Sequence, residues 1–167
     1  QVNHEQWMET ETIVLAIGHS ARDTFRMLLE RNVPMRSKAF AVGVRMEHPQ
    51  ALINENQYSK NDPNSLPAAS YKLTRKVGDE RGVYSFCMCP GGYVVNASSE
   101  EGMTAVNGMS YHARAGENAN SAMIISVRPE DFGSDEPLAG VEFQRKLEKA
   151  AYREGQGKIP VQLFGDF

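Results

Sequence analysis

The sequence predicts an α+β protein built on a mixed, largely antiparallel β-sheet or barrel-like domain with flanking helices. Three stretches predict it. Lys38 to His48 alternates, with Phe40, Val42, Val44 and Met46 on one face and Ala39, Ala41, Gly43, Arg45 and Glu47 on the other, the period of a half-buried strand. Val83 to Met88 is β-branched, aromatic and apolar, and Pro90-Gly91-Gly92 then allows a tight turn before Tyr93 to Ala97, the returning strand of a hairpin. Leu138 to Gly155 carries Val141, Phe143, Leu147, Ala150 and Ala151 along one face, with Arg145, Lys146, Lys149 and Arg153 outside, as an amphipathic helix does.

At 167 residues the chain is about one domain, with 41% apolar and 23% charged residues. A net charge of −3 and a pI near 5.8 give no footprint for nucleic acid or an anionic membrane. Ile13 to Ile17 is the longest apolar run, too short to span a bilayer, and no signal-peptide pattern precedes it. Two cysteines spaced C-x-C make no secreted disulfide framework, so a reducing cytoplasm is the expected location. The polar lead-in from Gln1 runs straight into a strand pattern, which reads as a piece of a longer chain.

In order, Thr12 to Gly18 reads as a strand buried on both faces. Ser20 is the expected N-cap and Asp23 the first-turn acid of a helix from Ala21 to about Arg31, ended by Asn32 and Pro34. Strand, Gly18 turn and helix start form either a place where backbone N–H groups meet a phosphate or an ordinary βα unit. Pro49 to Gln57 is a short helix with Pro at its first position, and Ser59 to Ala69 a loop. Tyr71 to Val77, a turn at Gly78 to Arg81, and the strands around Cys87 and Tyr93 predict an antiparallel meander. Ser98 to Gly102 is a turn, Met103 to Ala119 a long ordered loop containing Asn107-Gly108, and Ser121 to Val127 a further strand. Phe132 to Pro137 is acidic and turn-rich, and Gly155 and Gly157 end the last helix.

Two groups of residues offer chemistry. Arg45, Glu47 and His48 form either a polar site or a solvated strand end. On a regular strand Cys87 and Cys89 share one face, as a redox dithiol, half of a metal site, or two small buried apolar residues. The four histidines, His4, His19, His48 and His112, show no ligand spacing near the cysteines.

Four segments carry a resemblance: Val14-Leu-Ala-Ile-Gly-His-Ser-Ala-Arg-Asp-Thr-Phe25, Lys38-Ala-Phe-Ala-Val-Gly-Val-Arg-Met-Glu-His-Pro-Gln50, Tyr84-Ser-Phe-Cys-Met-Cys-Pro-Gly-Gly92 and Asn118-Ala-Asn-Ser-Ala122. Together they resemble the uncharacterised FAD-dependent dehydrogenases, large two-domain flavoproteins related to the glutathione-reductase-like superfamily, over nearly the whole chain. The resemblance implies that residues 1–37 are a βα piece of a Rossmann-type FAD-binding domain, with Gly18, His19 and Ser20 close to the cofactor. Residues 38–130 would be a β-rich substrate-side domain over the flavin, with residues 131–167 a helix and tail packed on it. Pro90, Gly91 and Gly92, together with Asn107 and Gly108, would face the isoalloxazine. Arg45 would hold an anionic substrate group, and Cys87 and Cys89 would take pocket or redox roles.

The family's G-x-G-x-x-G fingerprint and C-terminal flavin segment are not found in the chain. The expectation is FAD in the full-length parent, with weak or no FAD binding and no activity from this region alone. The implied partners are a small-molecule substrate and the remainder of the FAD-binding domain, not nucleic acid or membrane. A rival reading is a non-catalytic ligand-binding or interaction module, and a third a thiol redox or metal sensor through Cys87 and Cys89.

Overall fold

The computed structural model describes residues 1–59, 66–78 and 81–166. They fall in two compact units, Gln1–Pro34 and Met35–Phe167.

In the first unit Thr12 to Gly18 forms no strand, and Ile13 and Val14 are 76% and 82% exposed. A single extended segment gains ladder hydrogen bonds only from a neighbouring strand, and among the described residues none pairs with it. Helix α1 (Arg22–Glu30) does form, with Asp23 in its first turn. Ser20 does not cap it: Ala21 is the N-cap, the Ser20 carbonyl accepts the Arg22 N–H at 2.9 Å, and its hydroxyl lies 3.4 Å from His19 Nε2. Asn32, at φ 58°, closes a Schellman ending in which the Val33 N–H reaches the Leu28 carbonyl and the Asn32 N–H that of Leu29.

The second unit holds an open four-stranded antiparallel sheet, not a closed barrel, and a separate two-stranded sheet. Strand β1 (Phe40–Pro49) leads into helix α2 (Gln50–Tyr58), then β2 (Thr74–Val77), β3 (Arg81–Cys89), β4 (Gly92–Asn96), β5 (Val106–Ser110) and β6 (Asn118–Val127). Helix α3 (Ala139–Glu154) follows a 3-10 turn at Pro129–Phe132. The spatial order of the large sheet is β1-β6-β3-β2. Of the expected loop from Ser59 to Ala69, residues 60–65 lie outside the described residues, as do residues 79–80 of the expected turn after Gly78.

The expected meander fails at β4. Strand β3 has β2 on one edge and β6 on the other, so no edge remains for the chain returning from Gly92. Strand β4 instead pairs with β5, from Gly92 opposite Ser110 to Asn96 opposite Val106. The stretch Met103 to Ala119 is therefore not one long loop: it supplies β5 and the first residues of β6. Asn-Gly reads in sequence as a turn, yet Gly108 lies within a strand. A Cβ there would fall 2.1 Å from Asn120 Oδ1 and 2.2 Å from Arg45 Nη2, so the glycine answers a close approach. The segment Tyr71 to Leu73 stays outside β2, which starts at Thr74.

The apolar core is small. Phe40 stacks on Phe132 at 5.1 Å between ring centroids, Phe132 meets Phe143 at 5.4 Å, and a Cβ on Gly140 would come within 2.9 Å of the Phe40 ring. The largest fully buried side chains are Asn120 and Ser121. Val44 is 58% exposed despite its place in the alternation, and Leu147 is exposed on α3. Arg145, expected outside, is only 18% exposed and pairs with Glu100 and Glu142, each at 2.7 Å. Helix α3 ends at the expected glycines: Gly155 is its C-cap, with its N–H on the Ala151 carbonyl, and the Gly157 N–H closes on the Tyr152 carbonyl, while Gln156 between them takes the left-handed φ of 50°.

Candidate functional site

The six residues Arg45 to Gln50 build the surroundings of the Cys87–Gly92 turn. Alternation on β1 sends Arg45 and Glu47 to one face. Glu47 accepts the Val94 N–H and the Asn118 amide, both at 2.7 Å, and so ties β4 to the large sheet. Gln50, buried at the start of α2, accepts the Gly91 N–H at 2.8 Å and donates to Asn54 Oδ1 and the Ala69 carbonyl.

Arg45 is the hub. Its Nε donates to Asn120 Oδ1 at 2.7 Å, and its Nη1 lies 3.4 Å from Asn107 Oδ1. Its Nη2 donates to the Cys87 carbonyl at 2.5 Å and to Cys89 Sγ at 3.3 Å. All four partners are neutral acceptors, and among the described residues Arg45 forms no ion pair. Partly burying a guanidinium without a carboxylate is costly, and these four contacts leave its positive charge unneutralised. Asn120 has no exposed surface, and its Nδ2 has no partner. That orphaned donor costs about 1–3 kcal/mol, which the Arg45 bond to its oxygen offsets only in part.

A bulge interrupts the regular alternation across the two cysteines. Phe86 pairs with Ala122 and Cys89 with Asn120, so three steps on β3 oppose two on β6. This bulge puts Cys87 at φ 46°. Cys87 is exposed, while Cys89 is half-buried with Sγ 3.3 Å from the Cys87 carbonyl.

The structure thus brings together Arg45, Cys87, Cys89, Asn107 and Gly108. Pro90, Gly91 and Gly92 are adjacent but buried. The Pro90 carbonyl accepts the Ser110 hydroxyl at 2.7 Å. A Cβ on Gly91 or Gly92 would fall 2.0 Å from the Arg114 or the Met109 carbonyl, so the space beside both glycines is filled by the protein itself. Gly18, His19 and Ser20 lie in the first unit, and no atom comes within 4 Å of a Cβ built on Gly18, at φ 74°.

His48 goes to the opposite face from Arg45. Its Nε2 is 2.9 Å from the Tyr71 hydroxyl, and its Nδ1 is buried without a partner. A shallow pocket of about 260 Å³ lies there, lined by His48, Ile53, Asn56, Gln57, Tyr71 and Leu73. Burial pushes the Tyr71 phenol up from 10.0, against the lowering effects of its hydrogen bond to Ser121 and the Arg45 charge. Asn120, Gln50 and Asn118 escape a reading for reactive groups because they act as supports. Two asparagines inside one strand, a position that disfavours Asn, are the signal that marks them.

Antiparallel sheets, a glycine turn beside two thiols and a half-buried arginine without a carboxylate define an α+β domain with an unneutralised cation beside its glycine turn. Residues 39–167 match the family described as FAD-dependent protein, C-terminal domain-like. That is most of the chain, and the protein belongs to this family. An uncharacterized protein of Clostridium beijerinckii (strain ATCC 51743 / NCIMB 8052) is 60% identical over 161 residues, 94% of this chain and 30% of the relative. The chain therefore spans less than a third of the relative's length. No helix among the described residues is long and apolar enough to cross a membrane.

Proposed function

We propose that this chain is the substrate-side region of a FAD-dependent oxidoreductase, a dehydrogenase of the glutathione-reductase-like kind, and that the rest of the full-length protein holds most of the cofactor. The bound flavin would supply the electron-accepting ring. The family membership supports the cofactor, and the observation that carries the site is Arg45, a half-buried cation whose contacts are all neutral.

In this reading Arg45 holds and orients an anionic substrate group at its Asn107 edge, where Nη1 has its longest contact. A Cβ on Gly91 or Gly92 would meet the protein's own carbonyls, so in this reading the two glycines shape the turn that faces the flavin. Phe86, 56% exposed beside Cys87, offers apolar cover for a bound ring. The exposed Ile13–Ile17 segment fits a strand whose neighbours are supplied by the remainder of a Rossmann-type domain.

The test is the visible absorption spectrum of the full-length protein purified without added cofactor. An oxidised-flavin spectrum that persists in Arg45→Met, with KM for an anionic substrate raised more than kcat falls, is the expected result. A colourless protein that takes up no added FAD overturns the oxidoreductase reading and leaves a non-catalytic binding module.

A further inference from the structure

We infer that Cys87 and Cys89 form a thiol–disulfide exchange site for a small disulfide substrate, with Arg45 as the residue that positions Cys89. The site does not rest on the flavin reading, because its oxidant is the substrate itself. Cys87 is exposed on the bulge and is the sulfur an incoming disulfide meets first. Cys89 is half-buried, its Sγ turned back to within 3.3 Å of the Cys87 carbonyl. Arg45 Nη2 bonds both that carbonyl and that sulfur, and the guanidinium is itself fixed by Asn120 at 2.7 Å. One cysteine is presented for attack, and the other is held beside it to resolve the product.

Backbone geometry favours closure. On a regular strand, residues two apart have Cα atoms about 6.6 Å apart, near the upper limit of about 6.8 Å for a disulfide. Here three steps of β3, from Phe86 to Cys89, cover two of β6, so the chain over the bulge is compressed, and Cys89 Sγ already lies 3.3 Å from the Cys87 carbonyl. Two purely structural thiols would both be buried, and Cys87 is not.

The exchange balances in two steps. The Cys87 sulfur attacks one sulfur of the substrate disulfide, forming a mixed disulfide and expelling the other half as a thiol. The Cys89 sulfur then attacks Cys87 Sγ, forming the Cys87–Cys89 bond and expelling the second half. Two cysteine thiols become one disulfide and one disulfide becomes two thiols, with the two protons passing to the departing sulfurs. The Arg45 guanidinium, at 3.3 Å from Cys89 Sγ, is placed to balance the negative charge that sulfur carries in the second step.

The experiment treats the full-length protein with oxidised glutathione and follows the Cys87–Cys89 peptide by mass. The expected product is lighter by two hydrogens, has lost both free thiols and retains no glutathione. Cys89→Ser should stop at glutathione held on Cys87. Arg45→Met should slow closure by about tenfold more than it slows formation of the mixed disulfide, with Arg45→Lys restoring part of the closure rate. Glutathione that stays on Cys87 of the wild type, or cysteines that react only after unfolding, overturns the proposal. The comparison of wild type with Cys89→Ser decides it even if Arg45→Met fails to fold.

Discussion

Arg45 and Arg145 both join distant segments from a partly buried position, yet their partners are of opposite kinds. Arg145, on α3, is met by the carboxylates of Glu100 and Glu142, and at the other end of the sheet Arg81 meets Asp131 through two bonds of 2.7 Å. Here charge faces charge, which offsets part of the cost of burial. Arg45 has only an amide, a carbonyl and a thiol as close partners. An arginine that serves only to hold a fold is most cheaply paired with a carboxylate. The difference sets the Arg45 corner apart as a cation that no carboxylate meets among the described residues, which is what the two proposals build on.

The largest expected effect tests how tightly that corner is built. Gly91→Ala places a Cβ 2.0 Å from the Arg114 carbonyl at a φ of 56°, and should cost about 3 kcal/mol or more in urea unfolding. Gly18→Ala, with nothing in reach, should cost about 1 kcal/mol from backbone strain alone; equal losses would erase the contrast between the two glycine turns. Next, Arg45→Met leaves the buried Asn120 oxygen without its donor and removes one of the two donors on the Cys87 carbonyl, and should cost about 2–3 kcal/mol. Arg145→Met should cost about 1–2 kcal/mol, because its glutamates can turn to water. A reversed order would show that the Arg45 corner is the more weakly coupled one.

The smallest effect is in acid. Arg81 and the Arg128 N–H hold the Asp131 carboxyl down at about 2 from 3.8. The folded state thus binds this proton less readily than the unfolded chain does. The stabilisation is present above the unfolded value and is lost as pH falls from 3.8 to about 2. Asp131→Asn should flatten this part of the acid limb, and added salt should shrink it. The Arg45–Asn120 bond involves no carboxylate and should show no such loss. A matching acid limb in Asn120→Leu would contradict the assignment of neutral partners.

Much of the site was legible as types of residue and little of it as an arrangement. The alternation from Phe40 to His48 gives β1 and puts Arg45 and Glu47 on one face, as found. Pro90 and Gly91 give the turn, with Gly91 at φ 56°. The bulge at Cys87 was not legible, because a bulge is set by the register between β3 and β6 and not by either strand alone. Nor was the role of Gly108, whose need for a bare Cα arises from an arginine and an asparagine brought in from two other strands.

The sequence by itself determined the local elements: two-residue alternation for β1, three-to-four-residue spacing for α1 and α3, and a break at Pro90–Gly91. Each follows from contacts within a few residues of chain. The tertiary structure alone decided which strands are neighbours. Strand β3 has two edges, and once β6 and β2 occupy them β4 must leave for β5. It also decided that Arg45 meets Asn120 and Cys89, because those contacts span 75 and 44 residues of chain. Closing such loops costs entropy that only the assembled sheet repays, and no local pattern records that balance.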